Sequence, residues 1–186
     1  MLFGLPSAFA IEAMSERDLK IPSAVWGRMR VWCQGTAIGD FSDEYCGLSD
    51  TYDGFKSLES SLPNLWRQEF SGLSVVEIWR LLDARLYGND GTTEIEDDRT
   101  IEECRRDWDE YGQFNFLTNW GEQFDDGGKS FILCPPEGDV LILNQSLPAQ
   151  YGIALRAPLL TFKAAVRDFT RWFEVETLRL SGKAAT

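Results

Sequence analysis

The sequence predicts an α+β fold, an antiparallel sheet of about five to seven strands packed with about four helices in a single domain, on three observations. Residues 25–40 alternate apolar and polar side chains about a tight turn, and two later runs, FILC and VLIL, are continuously apolar, as strands are. Four other stretches space their apolar residues three and four apart, two of them behind a Ser/Thr-x-x-Glu helix start. With 186 residues, 44% hydrophobic and 13% aromatic, the chain is long enough to bury one sizeable core.

In residues 7–14, SAFAIEAM, Phe9 and Ile11 alternate with Ala10 and Glu12, which predicts a first strand. Residues 15–23 are polar, carry Pro22 and read as a loop. In residues 25–40, VWGRMRVWCQGTAIGD, Val25, Gly27, Met29, Val31 and Cys33 alternate with Trp26, Arg28, Arg30 and Trp32 ahead of a Gln34-Gly35 turn. One face of this hairpin is small and apolar. The other sets two guanidinium groups between two indoles, with Glu12 the expected partner of Arg28 or Arg30 and helices expected to cover the tryptophans.

From Ser49, Tyr52, Phe55, Leu58 and Leu62 recur at helical spacing until Pro63 stops them, with Gly54 a weak point inside. Ser74 and Glu77 form a capping box for a helix over Val75–Tyr87, whose stripe is Val75, Ile78, Trp79, Leu82 and Leu86 and whose stop is Gly88. A second capping box, Thr100 and Glu103, opens a short helix with Ile101, Cys104, Trp108 and Tyr111 on its inner face before Gly112. Phe114, Phe116 and Trp120 then alternate in strand fashion, and residues 125–128 make a turn. FILC and VLIL read as adjacent antiparallel strands, and Ile153 to Leu155 as another short one. A last helix starts near Thr161 and buries Phe162, Ala165, Val166, Phe169 and Phe173, with Thr177 and Leu180 beyond, before a tail at 181–186 that should fray.

Composition narrows the function. There is no histidine, which removes the commonest general base, the Ser/His and Cys/His nucleophile pairs and every zinc site that needs imidazole. The four cysteines, Cys33, Cys46, Cys104 and Cys134, include no C-x-x-C pair and read as buried free thiols of a reducing compartment. The first residues lack the basic start of a signal peptide, and no apolar run approaches the ~20 residues of a membrane helix, so a cytoplasmic protein without membrane contact is expected. Thirty acidic against 18 basic residues give a formal net charge of -12, which argues against nucleic-acid binding and allows a basic protein partner.

No catalytic residues, cofactor or metal are assigned. Two acids could in principle support a carboxylate-dependent hydrolase, but nothing singles out a pair among 30. The acidic stretches 40–44 and 90–98 do not match a calcium loop, and the Gly88 to Gly91 and Gly127-Gly128 turns lack a phosphate-loop context. What remains is an acidic docking surface. Residues 89–110 hold ten acidic residues against three arginines and so carry seven of the twelve net negative charges. The candidate partner-binding residues are Glu94, Glu96, Asp97, Asp98, Glu102, Glu103, Asp109, Glu110 and Tyr111, with Trp108 and Trp120 as further aromatic anchors.

The segments LFGLPSAFAIE, RMRVWCQGTAIGD, VEIWRLLDARLYG, FDDGGKSFIL and PLLTFKAAVRDF, in that order, resemble the immunity protein 42 family of bacterial polymorphic toxin systems. Phe3-Gly4, Ala10-Ile11-Glu12 and Gly39-Asp40 are the most telling pieces. The resemblance implies a cytosolic, non-enzymatic α+β protein that binds and neutralises a cognate toxin. An acidic inhibitor suits a basic target such as a nuclease, whose groove for nucleic acid is positive. The alternative is an acidic interaction or regulatory module unrelated to toxins.

Overall fold

The computed structural model describes residues 1–88, 98–136, 138–145 and 153–182, and of these the side chains of 125–127 are not described. The 25–40 hairpin forms as its alternation requires and sits inside a five-stranded antiparallel sheet. Its strands are β1 (Leu2–Leu5), β2 (Phe9–Ser15), β3 (Trp26–Cys33), β4 (Thr36–Ile38) and β5 (Cys46–Gly47), in the order β1-β2-β3-β4 with β5 also paired to β3. Gln34 and Gly35 make the β3–β4 turn with φ of 50° and 78°, the left-handed pair that a two-residue hairpin needs. Strand β1 has no counterpart in the sequence expectations. Only Phe3 of its four residues is buried, against Phe169 and Trp172, too little for alternation to register.

The outer face of this sheet neutralises itself. Glu12 lies opposite Arg30 in the β2–β3 register and accepts hydrogen bonds from Arg30 Nε at 2.7 Å and Trp32 Nε1 at 2.9 Å. Burial acts to raise the Glu12 pKa, but these two hydrogen bonds and the Arg30 charge outweigh it and hold the carboxyl below its ordinary value. Arg28 pairs instead with Glu16 at 2.9 Å and Glu44 at 2.7 Å. The Arg30 guanidinium lies 4.5 Å from the centre of the Trp32 ring and 4.9 Å from that of Phe41. The expectation that helices cover these tryptophans is therefore corrected. Trp32 packs against Arg30, guanidinium and indole covering each other, and Trp26 stays 41% exposed.

Helix α1 (Ser49–Ser61) buries Phe55 and Leu58 and tightens into a 3-10 turn at Leu62–Asn64, where Pro63 ends it. Gly54 has a packing reason. A Cβ there would sit 2.7 Å from the Trp120 indole, so glycine admits that ring. Helix α2 (Val75–Tyr87) begins and ends where its residues predict: Ser74 and Glu77 exchange hydrogen bonds, and Gly88 closes it at φ 68°. It buries Ile78, Trp79 and Leu82, together with Asp83, while Val75 stays at the exposed end of the stripe. Helix α3 (Ile101–Tyr111) starts on the matching Thr100–Glu103 box.

The segment after α3 is not the expected strand. It forms a 3-10 turn at Gly112–Phe114, a single bridge from Asn115 to Phe131, and left-handed residues at Leu117 and Asn119. Asn115 turns the chain back by accepting from Tyr87 Oη at 2.7 Å and donating to the Thr118 carbonyl at 3.0 Å. Phe114 and Phe116 are buried as anchors of that turn and Trp120 is half-buried, Phe116 and Trp120 both meeting Phe55 edge on. Residues 122–127 then form a 3-10 helix where a simple turn is expected.

FILC and VLIL fall in β6 (Lys129–Leu133) and β7 (Asp139–Gln145), which with β8 (Ile153–Pro158) form a separate three-stranded antiparallel sheet. Helix α4 (Leu159–Leu180) joins the parts: Phe162 meets Phe9 at 4.4 Å, Phe169 meets Phe55 at 5.6 Å, and Phe173 stacks on Tyr52 at 4.4 Å. Leu180 is buried as expected, whereas Thr177 is exposed and donates to the Phe173 carbonyl. One core drawn from both sheets and all four helices makes the fold α+β. Residues 181 and 182 make a turn, and the rest of the tail expected to fray lies outside the described residues.

Candidate docking surface on helix α3

Helix α3 carries most of the described part of the acidic segment. Glu94, Glu96 and Asp97 lie outside the described residues, while Asp98, Glu102, Asp109 and Glu110 are exposed to solvent. Glu103 has a local duty. Its carboxylate accepts from the Thr100 backbone N–H at 2.8 Å and hydroxyl at 2.9 Å, and those bonds hold its pKa below the ordinary 4.5. It is a cap first, and only secondarily a surface charge.

The inner face of α3 differs from the stripe its apolar residues predict. Asp107 and Tyr111 are buried, 2% and 3% exposed, while Ile101 is 74% exposed and Trp108 49%. The helix is rolled toward position 107 because two cations wait there. Arg99 Nη1 reaches Asp107 Oδ2 at 2.8 Å and Arg85 Nη1 reaches Oδ1 at 3.3 Å, while Arg99 also donates to the Arg85 carbonyl at the end of α2. Tyr111 completes this inner layer. Its hydroxyl donates to Glu69 at 2.9 Å, and Arg67 and Arg85 lie over its ring at 4.6 and 5.7 Å. Burial and the Glu69 contact together raise its phenol pKa.

Tyr111 lies on the inner face, as its place in the predicted stripe requires, and the arginines and Glu69 occupy both its ring and its hydroxyl. Trp120 is also spent inside, on Phe55, Phe116 and Gly54. Trp108 is the anchor left outside. Sequence reasoning missed Asp107, Arg85 and Arg99 as a unit. The signal available was two arginines flanking an acidic helix, one in the last turn of α2 and one just before α3.

The segments that carry the sequence resemblance are largely architectural. Lys129 of FDDGGKSFIL donates to Asp83 of VEIWRLLDARLYG at 2.7 Å and lies 4.7 Å over Tyr87, whose phenol burial pushes up to about 12. At Gly39-Asp40, the Asp40 N–H donates to the Gln123 carbonyl at 2.7 Å and its carboxylate accepts from the Ser42 N–H and hydroxyl. Gly39 takes φ 99° with the Phe124 ring 2.7 Å from where a Cβ would stand, so neither conformation nor space allows a side chain. Among the described residues no group of three or more Cys, Asp or Glu is arranged to hold a metal ion, and no helix is long and apolar enough to cross a membrane.

The model of the immunity protein 42 family matches residues 1–149. The fold is similar to the crystal structure of CdiI from Burkholderia dolosa AUO158, with a TM-score of 0.63 and 15% sequence identity over 92% of this chain and 99% of that one. No curated protein matches the sequence. The family match ends before β8 and α4, although α4 supplies Phe162, Phe169 and Phe173 to the shared core. With 149 residues matched out of 186, the chain belongs to the immunity protein 42 family.

Proposed function

We propose that this chain neutralises a cognate toxin by binding it through the acidic surface centred on α3, and that the toxin domain is basic, as a nuclease is. The observation that carries the reading is that α3 turns Glu102, Asp109 and Glu110 to solvent beside Asp98, within a segment holding seven of the chain's twelve net negative charges. Glu94, Glu96 and Asp97 belong to the same segment and are included in the proposed surface. Membership of an immunity-protein family supports a toxin as the partner, and the likeness to a CdiI structure accords with it. Inhibition is by occupation, without chemistry on the toxin.

A positive groove that must hold a nucleic-acid backbone attracts such a surface from a distance, which speeds encounter and excludes acidic partners. The protein acts in the cytoplasm, where its free cysteines stay reduced. The test is co-expression with the toxin domain encoded beside it. Protection of the cells and co-purification of the two chains are expected; a toxin that still kills and does not co-purify would refute the reading and leave an acidic module unrelated to toxins.

A further inference from the structure

The roll of α3 that the Asp107 ion pairs set has a consequence at the surface. Asp107 is buried while Arg85 and Arg99 keep part of their exposure to water, and taking the carboxylate out of water brings no clear gain over apolar packing at the same place. The same helix had an apolar alternative in Ile101 and Trp108, and leaves both outside. Seven residues apart, they stand on one side of α3, two turns or about 10 Å from each other. The Trp108 indole lies over Gly112, where an added Cβ would come within 3.2 Å of the ring. A tryptophan offers a large contact area with only two side-chain torsions to fix on binding.

We infer that Ile101 and Trp108 form the apolar centre of the toxin-binding surface and enter an apolar pocket bordered by Lys and Arg side chains on the toxin domain. The inference rests on the proposed function and names what the partner must present. Charge complementarity selects that occupant. Asp98, Glu102 and Asp109 are exposed along one flank of the pair, with Arg105 between its two members, while Glu110 lies on the far side of the helix within 3.5 Å of Arg67. A second copy of a chain with net charge -12, or an anionic lipid surface, would be repelled by the same rim. The arrangement is that of an interface centre, an aromatic anchor inside a polar border.

The test measures binding of the toxin domain encoded beside this chain to the wild type and to the I101S, W108F and W108A variants, with circular dichroism and thermal melting on each. W108A is expected to weaken binding about 30-fold or more, chiefly by faster dissociation, with the melting curve unchanged. W108F should keep most of the affinity, and I101S should lose several-fold. Tight binding by the wild type that W108A leaves unaltered overturns the inference and spares the proposed function. A wild type that neither binds nor protects overturns both. A wild-type dimer in sedimentation that W108A converts to monomer also overturns it, by giving the face to a second copy.

Discussion

Helices α2 and α3 begin with the same device and end up doing opposite things with their apolar residues. Each has a reciprocal Ser/Thr and Glu cap, and each starts and stops where its sequence predicts. Helix α2 then buries Ile78, Trp79 and Leu82, as its stripe requires, whereas α3 buries Asp107 and leaves Ile101 and Trp108 in water. The caps are local, because they involve only residues three apart and the backbone between them. Which face turns inward is decided by what lies opposite: β6 offers Phe131 to Trp79, while Arg85 and Arg99 offer charge to Asp107. Amphipathic spacing alone therefore identifies a helix better than it identifies its buried side.

The contrast can be broken first at its packing end. Leu82→Ala removes a fully buried side chain from α2 and is expected to cost about 2–5 kcal/mol in denaturant unfolding. Asp107→Ala in α3 should cost about 3 kcal/mol, near the lower end for a broken buried pair because Arg85 is half exposed. An aspartate as costly to lose as a core leucine sets α3 apart; a loss below about 0.5 kcal/mol, usual for a surface site, would remove the ion pair as the cause of the roll.

The caps test the half of the comparison in which the helices agree. Ser74→Ala and Thr100→Ala should each cost about 1 kcal/mol, and a large inequality between them would mean that tertiary contacts, not caps, set the two starts. The smallest effect concerns pH. Glu12, Glu77, Glu103 and Glu176 have folded pKa values below 4.5, so their stabilisation is present above pH 4.5 and lost as pH falls through the folded values. Burial pushes Cys33 up to about 11 and Cys46 up to about 12 from 9.0, so their contribution is present below pH 9 and lost as pH rises toward those values. With no histidine, the unfolding midpoint should be level across the neutral range and fall on either side.

The sequence was most legible where local chemistry decides. The β3–β4 turn, the limits of α2 and α3, the pairing of β6 with β7 and the Glu12 to Arg30 contact all follow from neighbours in the chain or from strand alternation. It misled where distant partners decide. Phe114 and Phe116 alternate like a strand, yet Asn115 folds them into a turn through Tyr87, which is remote in sequence. The hairpin's tryptophans are the usual candidates for burial under a helix, but Arg30, itself against Phe41, already covers Trp32, and Trp26 stays 41% exposed. Of the proposed binding residues, charge and helical phase put Glu102, Asp109 and Glu110 outside and Tyr111 inside, where Arg67 and Arg85 cover its ring.

The central claim is that α3 meets a basic partner with its charged face, and the salt dependence of toxin binding tests it most directly. Affinity of the wild type should fall as ionic strength rises from about 0.01 to 0.15 M, and D98K/E102K/D109K, which spares the Glu103 cap, should bind more weakly with a much flatter dependence. Equal affinity and equal salt dependence in the two proteins would contradict the account and move the interface off α3.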